Sequence, residues 1–248
     1  MALFFPVAGG FLGLIIGSFI ATLVLRWPLN SSVIKGRSAC DGCGAVLQPY
    51  ELVPLVSHGF LHGKCRRCGI AIDPLHWQVE LAGAVIGVAA MIASQNWLGL
   101  IGAGFGWLLL ALALLDLRHF WLPDRLTALV AVTGIAGGLA RFAPDLSARL
   151  IGGGVGYAAL ALIALVYRFL RKRDGLGGGD PKLLGAIGCW LGWQALPHVL
   201  LGASLGGLLW VGLRMASGTK VTATDRLPLG SLLAIAAFLD WLWQNYAA

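Results

Sequence analysis

The chain has 248 residues, of which 58% are hydrophobic and 12% charged, with a mean hydropathy of +0.82. Soluble domains carry about 25% charged residues, so these figures exclude an ordinary soluble domain and point to an all-α polytopic membrane protein. The net charge of +7 does not imply nucleic acid, because the basic residues sit in loops between apolar runs rather than on one face interleaved with aromatics.

Apolar runs cover 3–25, 78–94, 97–115, 125–143, 148–170, 182–195, 197–213 and 228–246. Spans need about 20 residues each, so the pattern predicts about eight transmembrane helices, the sixth of them short. The first run has no preceding Lys or Arg and is longer than a signal-peptide core, so it reads as a span and not as a cleavable signal. Glycine pairs at four-residue spacing, such as Gly152/Gly156 and Gly202/Gly206, read as sites of close helix packing. The chain thus divides into a first span at 1–25, a polar loop at 26–77 and a membrane-embedded core at 78–248.

Orientation follows from the bias of Lys and Arg toward cytoplasmic loops. With the N-terminus outside, the cytoplasmic loops are 26–77, 116–124, 171–181 and 214–227. Of the 18 Lys and Arg residues, including Lys35, Arg37 and Lys220, only Arg141 and Arg149 fall on the other side. Both termini then lie outside, and Asp116, Asp180 and the cysteine loop share the cytoplasmic side.

The loop 26–77 carries Cys40-Asp41-Gly42-Cys43 and, 21 residues later, Cys65-Arg66-Arg67-Cys68. Each C-x-x-C turn places two sulfurs on one side, and two such turns complete a tetrahedron, the pattern of a closed, structural zinc site. A pair of disulfides is the alternative, disfavoured by a reducing cytoplasm. His58, His62 and His76 lie in the same loop but are superfluous beside four thiolates. Cys189, alone in an apolar run, reads as a small buried hydrophobe.

The chemistry concentrates at Asp174-Gly175-Leu176-Gly177-Gly178-Gly179-Asp180-Pro181-Lys182. Glycines let other elements approach this turn, Pro181 suits the first turn of a helix, and Asp180 therefore stands at a helix mouth. Asp116 ends another apolar run and is the natural second carboxylate. Two neighbouring carboxyls do not both ionise readily, so one keeps a proton; together they have the chemistry to activate water and polarise a carbonyl. The alternatives at this point are plain: Asp180 as a helix cap, Asp116 paired with Arg118, Asp124 as an N-cap, or acids of a transporter or assembly component that bind ions or partners. No Ser/His/Asp set, Walker loop or H-E-x-x-H motif is present.

These residues, taken together, resemble the bacterial type IV prepilin peptidases, membrane aspartyl proteases of the G-x-G-D group. The likeness runs through Gly17-Ser18-Phe19 and Arg26, the two C-x-x-C knuckles, and Leu52-Val53-Pro54-Leu55-Val56-Ser57 between them. It continues through Gly63-Lys64-Cys65-Arg66, Val79-Glu80-Leu81, Asp116, Leu122-Pro123-Asp124-Arg125-Leu126-Thr127 and Gly177-Gly178-Gly179-Asp180-Pro181-Lys182-Leu183-Leu184. The resemblance implies that Asp116 and Asp180 are the catalytic pair, with Asp116 preferred over Asp124. It implies cleavage of the leader of type IV prepilins or type II secretion pseudopilins after a glycine, at the cytoplasmic face. It also implies S-adenosylmethionine-dependent methylation of the new N-terminus, associated with the cysteine loop, for which Glu80 and Gly63 are the positions to test. Asp41, Thr22 and Ile72-Asp73 depart from the family pattern, all in the first third of the chain, so they bear on methylation rather than proteolysis.

Overall fold

The computed structural model describes residues 3–29, 39–40, 42–48, 51, 54–55, 59, 63–173, 175–218, 222 and 225–246. Lys35, Arg37, Asp41, Leu52, Val53, Val56, Ser57, His58, His62, Asp174 and Lys220 lie outside the described residues. Those described form eight α-helices: α1 (Phe4–Arg26), α2 (Leu75–Ala93), α3 (Trp97–His119), α4 (Asp124–Leu139), α5 (Leu146–Arg171), α6 (Asp180–Leu191), α7 (Leu196–Ala216) and α8 (Leu229–Tyr246). Among the described residues, five stretches are long and apolar enough to cross a membrane: Phe4–Leu29, Leu75–Ala93, Trp97–His119, Leu146–Arg171 and Trp193–Ala216. The chain separates into two units, Met1–Trp107 and Leu108–Ala248.

In the first unit, α1 and α2 pack backbone against backbone. A methyl group at Gly13 would meet the Gly83 carbonyl oxygen at 2.1 Å, and one at Gly9 would meet that of Gly87 at 2.7 Å. Gly17 faces Val79 and Glu80 in the same way. The order of these pairs makes the helices antiparallel, and small residues are what allow so close an approach. Trp107 adds a hydrogen bond from its Nε1 to the Gly83 carbonyl, 2.9 Å. Glu80 is buried in this contact, and its Oε2 accepts the N–H of Leu55 at 2.8 Å. That bond ties the loop to α2 at a residue held at φ +58°.

The second unit is arranged around α6. Of its twelve residues only Lys182 is not buried, which explains an apolar run without a polar face. At 1.5 Å per residue α6 is about 18 Å long, short of a hydrocarbon core about 30 Å thick. The short sixth run is therefore a core helix within this unit. Gly152 and Gly156 of α5 lie against Gly188 and Leu184 of α6, with hypothetical methyl contacts of 2.5 and 2.7 Å to their carbonyl oxygens. Gly134 of α4 meets the Cys189 carbonyl at 2.5 Å.

The C-terminal end of α6 is held by Arg149, which is buried. Its guanidinium donates to the carbonyls of Trp190 at 2.7 Å, Gly134 at 2.9 Å and Cys189 at 3.2 Å, and also to those of Pro144 and Ala143. A cation at the carbonyl end of a helix complements its dipole and satisfies acceptors that have no partner inside the helix. Arg149, read from the sequence only as a basic residue on the sparse side of the topology, thus fixes α4 to α6.

Candidate active site and metal centre

Asp116 and Asp180 both belong to the second unit and both are buried, at 5% and 6% exposure. Asp116 lies inside the last turn of α3, which extends past the predicted end of its run to His119. Asp180 opens α6 directly after the glycine turn, with Pro181 behind it. The turn folds back on its acid: the Gly177 N–H donates to Asp180 Oδ2 at 3.1 Å, and the Asp180 N–H to the Gly177 carbonyl at 3.2 Å.

Leu122 links the surroundings of the two acids. A methyl group at Gly179 would strike the Leu122 side chain at 2.7 Å, and one at Gly230 would strike it at 2.8 Å. The same position at Gly230 would lie 3.0 Å from Asp116 Oδ2. The glycine before Asp180 and the glycine beside Asp116 therefore close on one leucine. Burial, and then the charge of Asp116, push the Asp180 carboxyl up to about 6. That is the behaviour of a desolvated acid with a like charge nearby.

Asp116 is held from the start of α8. The Ser231 N–H donates to its Oδ2 at 2.7 Å, and the Ser231 hydroxyl lies 3.0 Å from the same oxygen and 2.7 Å from the Ala113 carbonyl. Ser231 is itself buried. Neither Ser231 nor Gly230 carries a signal in the local sequence beyond Pro228 ahead of an apolar run; a buried serine at a helix start is the only hint. Among the described residues it is Ser231, and not Arg118, that bonds the Asp116 carboxylate.

Asp124 is the first residue of α4 and makes no side-chain cap; Pro123 precedes the helix instead. Its Oδ1 pairs with Lys182 Nζ at 2.7 Å. Both side chains are well exposed, and such a pair is worth about 0–1 kcal/mol. Lys182 is thereby directed to Asp124 rather than to Asp180.

The four cysteines of the loop converge. Their Sγ atoms lie within 4.8 Å of one another, and Cys40 Sγ is 3.7 Å from Cys68 Sγ. None is in a disulfide. A zinc ion bound tetrahedrally at about 2.3 Å from each sulfur spaces them about 3.8 Å apart, so the donor set fits a metal. The two knuckles are built alike. The Cys40 N–H bonds the Ala45 carbonyl and the Gly44 N–H that of Cys40, just as Cys65 bonds Ile70 and Gly69 bonds Cys65. Gly44 and Gly69 take φ of +67° and +73°, a turn that side chains with a Cβ resist. The N–H groups of Cys68 and then Arg67 hold the Cys65 thiol down to about 6, while burial and the neighbouring thiols push Cys68 up to about 11. One thiolate is thus at hand, and the rest would yield their protons to a metal. Gly63 sits at the base of the second knuckle, its carbonyl accepting the Ile72 N–H at 2.8 Å. The four thiols are placed to hold a metal ion; Glu80 supports Leu55 of the same loop.

Residues 11–94 match the family model of the bacterial peptidase A24 N-terminal domain, and residues 103–212 that of the type IV leader peptidase family. The prepilin leader peptidase/N-methyltransferase of Aeromonas hydrophila is 36% identical over 211 residues, 84% of this chain and 72% of the relative. Its namesake from Burkholderia pseudomallei (strain K96243) is 34% identical, covering 90% and 80%, and that of Pseudomonas aeruginosa 31% identical, covering 94% and 89%. No solved structure matches the chain. With two consecutive family models matched and relatives covered along most of both lengths, the chain belongs to the type IV prepilin leader peptidase/N-methyltransferase family.

Proposed function

We infer that this chain is a membrane aspartyl endopeptidase that removes the leader of type IV prepilins or type II secretion pseudopilins. The observation that carries the reading is the pair of buried carboxyls, Asp116 and Asp180, brought to a common leucine in one unit. One carboxyl ionised and the other protonated suffice for peptide hydrolysis. The ionised one draws a proton from water as its oxygen attacks the scissile carbonyl, and the protonated one supplies a proton to the carbonyl oxygen. The glycine turn 177–179 lets Asp180 stand beside a backbone N–H without a side chain in the way.

The remaining features complete the proposal. An outside N-terminus and five crossings before α6 would put the pair and the cysteine loop on the cytoplasmic side of the bacterial inner membrane, where a substrate with a basic leader and an apolar helix presents a bond following a glycine. The four thiolates of Cys40, Cys43, Cys65 and Cys68 would close around a structural zinc ion, leaving no open position for water. Methylation of the new N-terminus rests on the name of the relatives, with S-adenosylmethionine supplying the methyl group and Glu80 and Gly63 as the residues to test. The bond from Leu55 to Glu80 supports a second reading in which Glu80 is a scaffold and the chain is a peptidase alone.

The deciding experiment is mass spectrometry of a prepilin-type substrate after incubation with the purified protein and S-adenosylmethionine. Loss of the leader with one added methyl group establishes both activities. Loss of the leader alone leaves a peptidase, and an intact substrate across several prepilins and pseudopilins refutes the proposal in favour of a transporter or assembly role.

A further inference from the structure

We propose that Ser231 is the positioning residue of the carboxyl pair, its hydroxyl turning between Asp116 and the Ala113 carbonyl as Asp116 loses and gains a proton, so that Asp116 is the base and Asp180 the acid. The proposal rests on the reading of these two aspartates as the catalytic pair.

Ser231 is the third residue of α8, where a backbone N–H has no acceptor inside its own helix. Here that N–H is spent on Asp116 Oδ2 at 2.7 Å. The hydroxyl is different, because it has one hydrogen and two acceptors within reach: Asp116 Oδ2 at 3.0 Å and the Ala113 oxygen at 2.7 Å. The Ala113 carbonyl only accepts, whereas the Asp116 carboxyl accepts when ionised and donates when protonated. With Asp116 ionised, the hydroxyl hydrogen points to it. With Asp116 protonated, the acid donates to Ser231 Oγ and the hydroxyl hydrogen turns to Ala113. Both states are fully bonded, and no other atom needs to move. A buried carboxyl that changed charge without such a partner would strand a polar group in one of its two states.

Asp180 has no matching device. Among the described residues its carboxyl accepts from the Gly177 N–H at 3.1 Å, a fixed donor. Each donated hydrogen bond favours a carboxylate over a carboxylic acid. Of one proton shared between the two, Asp180 with one donor keeps it, and Asp116 with the amide and hydroxyl of Ser231 does not. Asp116 then takes a proton from the water whose oxygen bonds to the scissile carbon, while Asp180 gives its proton to the carbonyl oxygen. In the second half Asp116 passes that proton to the leaving nitrogen as the C–N bond breaks, and Asp180 recovers one from the gem-diol as the carbonyl re-forms. Both acids end as they began.

The test is the pH dependence of leader cleavage by the full-length protein in detergent, using a synthetic prepilin-type substrate. For Ser231→Ala the expected result is kcat lowered about tenfold with KM unchanged, and the acid limb of the kcat/KM profile moved up by about one pH unit, the scale of one charge-assisted hydrogen bond. Ser231→Thr restores both. Ser231→Pro, tolerated in a first helical turn, also removes the amide and moves the limb further. A wild-type kcat and unmoved acid limb in Ser231→Ala would overturn the proposal, as would a lower rate with an unmoved limb or a shift of the alkaline limb alone. If thermal melting shows that Ser231→Ala does not fold, Ser231→Cys decides: its weaker donor gives a smaller shift in the same direction, and no shift refutes the rotor. Asp116→Asn is assayed alongside. Wild-type cleavage by that variant removes the catalytic pair itself, whereas an inactive Asp116→Asn beside an unaffected Ser231→Ala removes only the role of Ser231.

Discussion

In the first unit, glycines of α1 meet α2 backbone to backbone, and in the second, glycines of α5 and α4 meet α6 in the same way, yet the two contacts support opposite chemistry. The α1–α2 pair buries one acid, Glu80, and spends it on the N–H of Leu55. The reactive groups of that unit, the thiols of Cys43 and Cys68, are exposed on the loop beyond it. The second unit buries two acids and a guanidinium around α6. The guanidinium is met by carbonyls, while burial and the charge of Asp116 raise the Asp180 carboxyl. The same packing device therefore yields a scaffold whose buried acid has its donor, and a site in which the charge of one buried acid raises the other.

The largest effect that would break this contrast is on rate. Asp116→Asn and Asp180→Asn should each lower leader cleavage by about 10²–10⁴-fold, with the helical content of the purified protein unchanged by circular dichroism. Near-normal processing by either variant removes the difference between the units. In the first unit, Cys43→Ser or Cys68→Ser should release the metal, seen as loss of one equivalent of zinc by elemental analysis, while leader cleavage persists. Zinc content equal to the unsubstituted protein would show that the thiols do not hold it.

A third measurement sharpens the comparison through stability. Asp180 has its carboxyl raised from 3.8 to about 6 in the folded chain, so the folded state keeps a proton that the unfolded state loses. Its contribution is full below pH 4 and declines as pH rises through about 6, by roughly 3 kcal/mol. Asp180→Asn, inactive in cleavage, should be the more stable protein above pH 6 and should lack this decline. A thermal melt that falls equally with pH in both proteins would contradict it.

The smallest effects concern the glycines. Gly13→Ala would place a methyl 2.1 Å from the Gly83 oxygen, and Gly188→Ala one 2.2 Å from that of Gly152. Overpacking of this kind should cost about 1–3 kcal/mol in either unit, read as a lower melting temperature. Gly104→Ala and Gly154→Ala meet nothing within 4 Å and should be neutral or stabilising by up to about 1 kcal/mol. Equal melting temperatures for all four would mean that the close contacts are not there.

Much of this protein was legible without its structure. Its membrane class follows from composition, and all eight apolar runs become helices, with ends shifted by a few residues because hydropathy records where the chain is apolar, not where hydrogen bonding stops. The cysteine knuckles are local turns whose spacing is their geometry. Asp116 and Asp180 stood out because a carboxyl at the end of an apolar run is costly and because a glycine turn marks the second. The short run at 182–195 was harder: its apolarity on all sides is the same whether lipid or protein surrounds it, and only the packing of α4 and α5 around α6 distinguishes the two.

Composition and local pattern by themselves determined an all-helical membrane protein and its cysteine cluster, and raised Asp116 and Asp180 as candidate acids, because solvation and turn geometry act on neighbours in the chain. The tertiary structure alone decided that Arg149 ties α4 to α6, that Leu122 lies between Gly179 and Gly230, and that Ser231 holds Asp116. Those contacts join residues far apart in sequence, and no periodicity or spacing encodes which distant backbone will supply the partner for a buried charge.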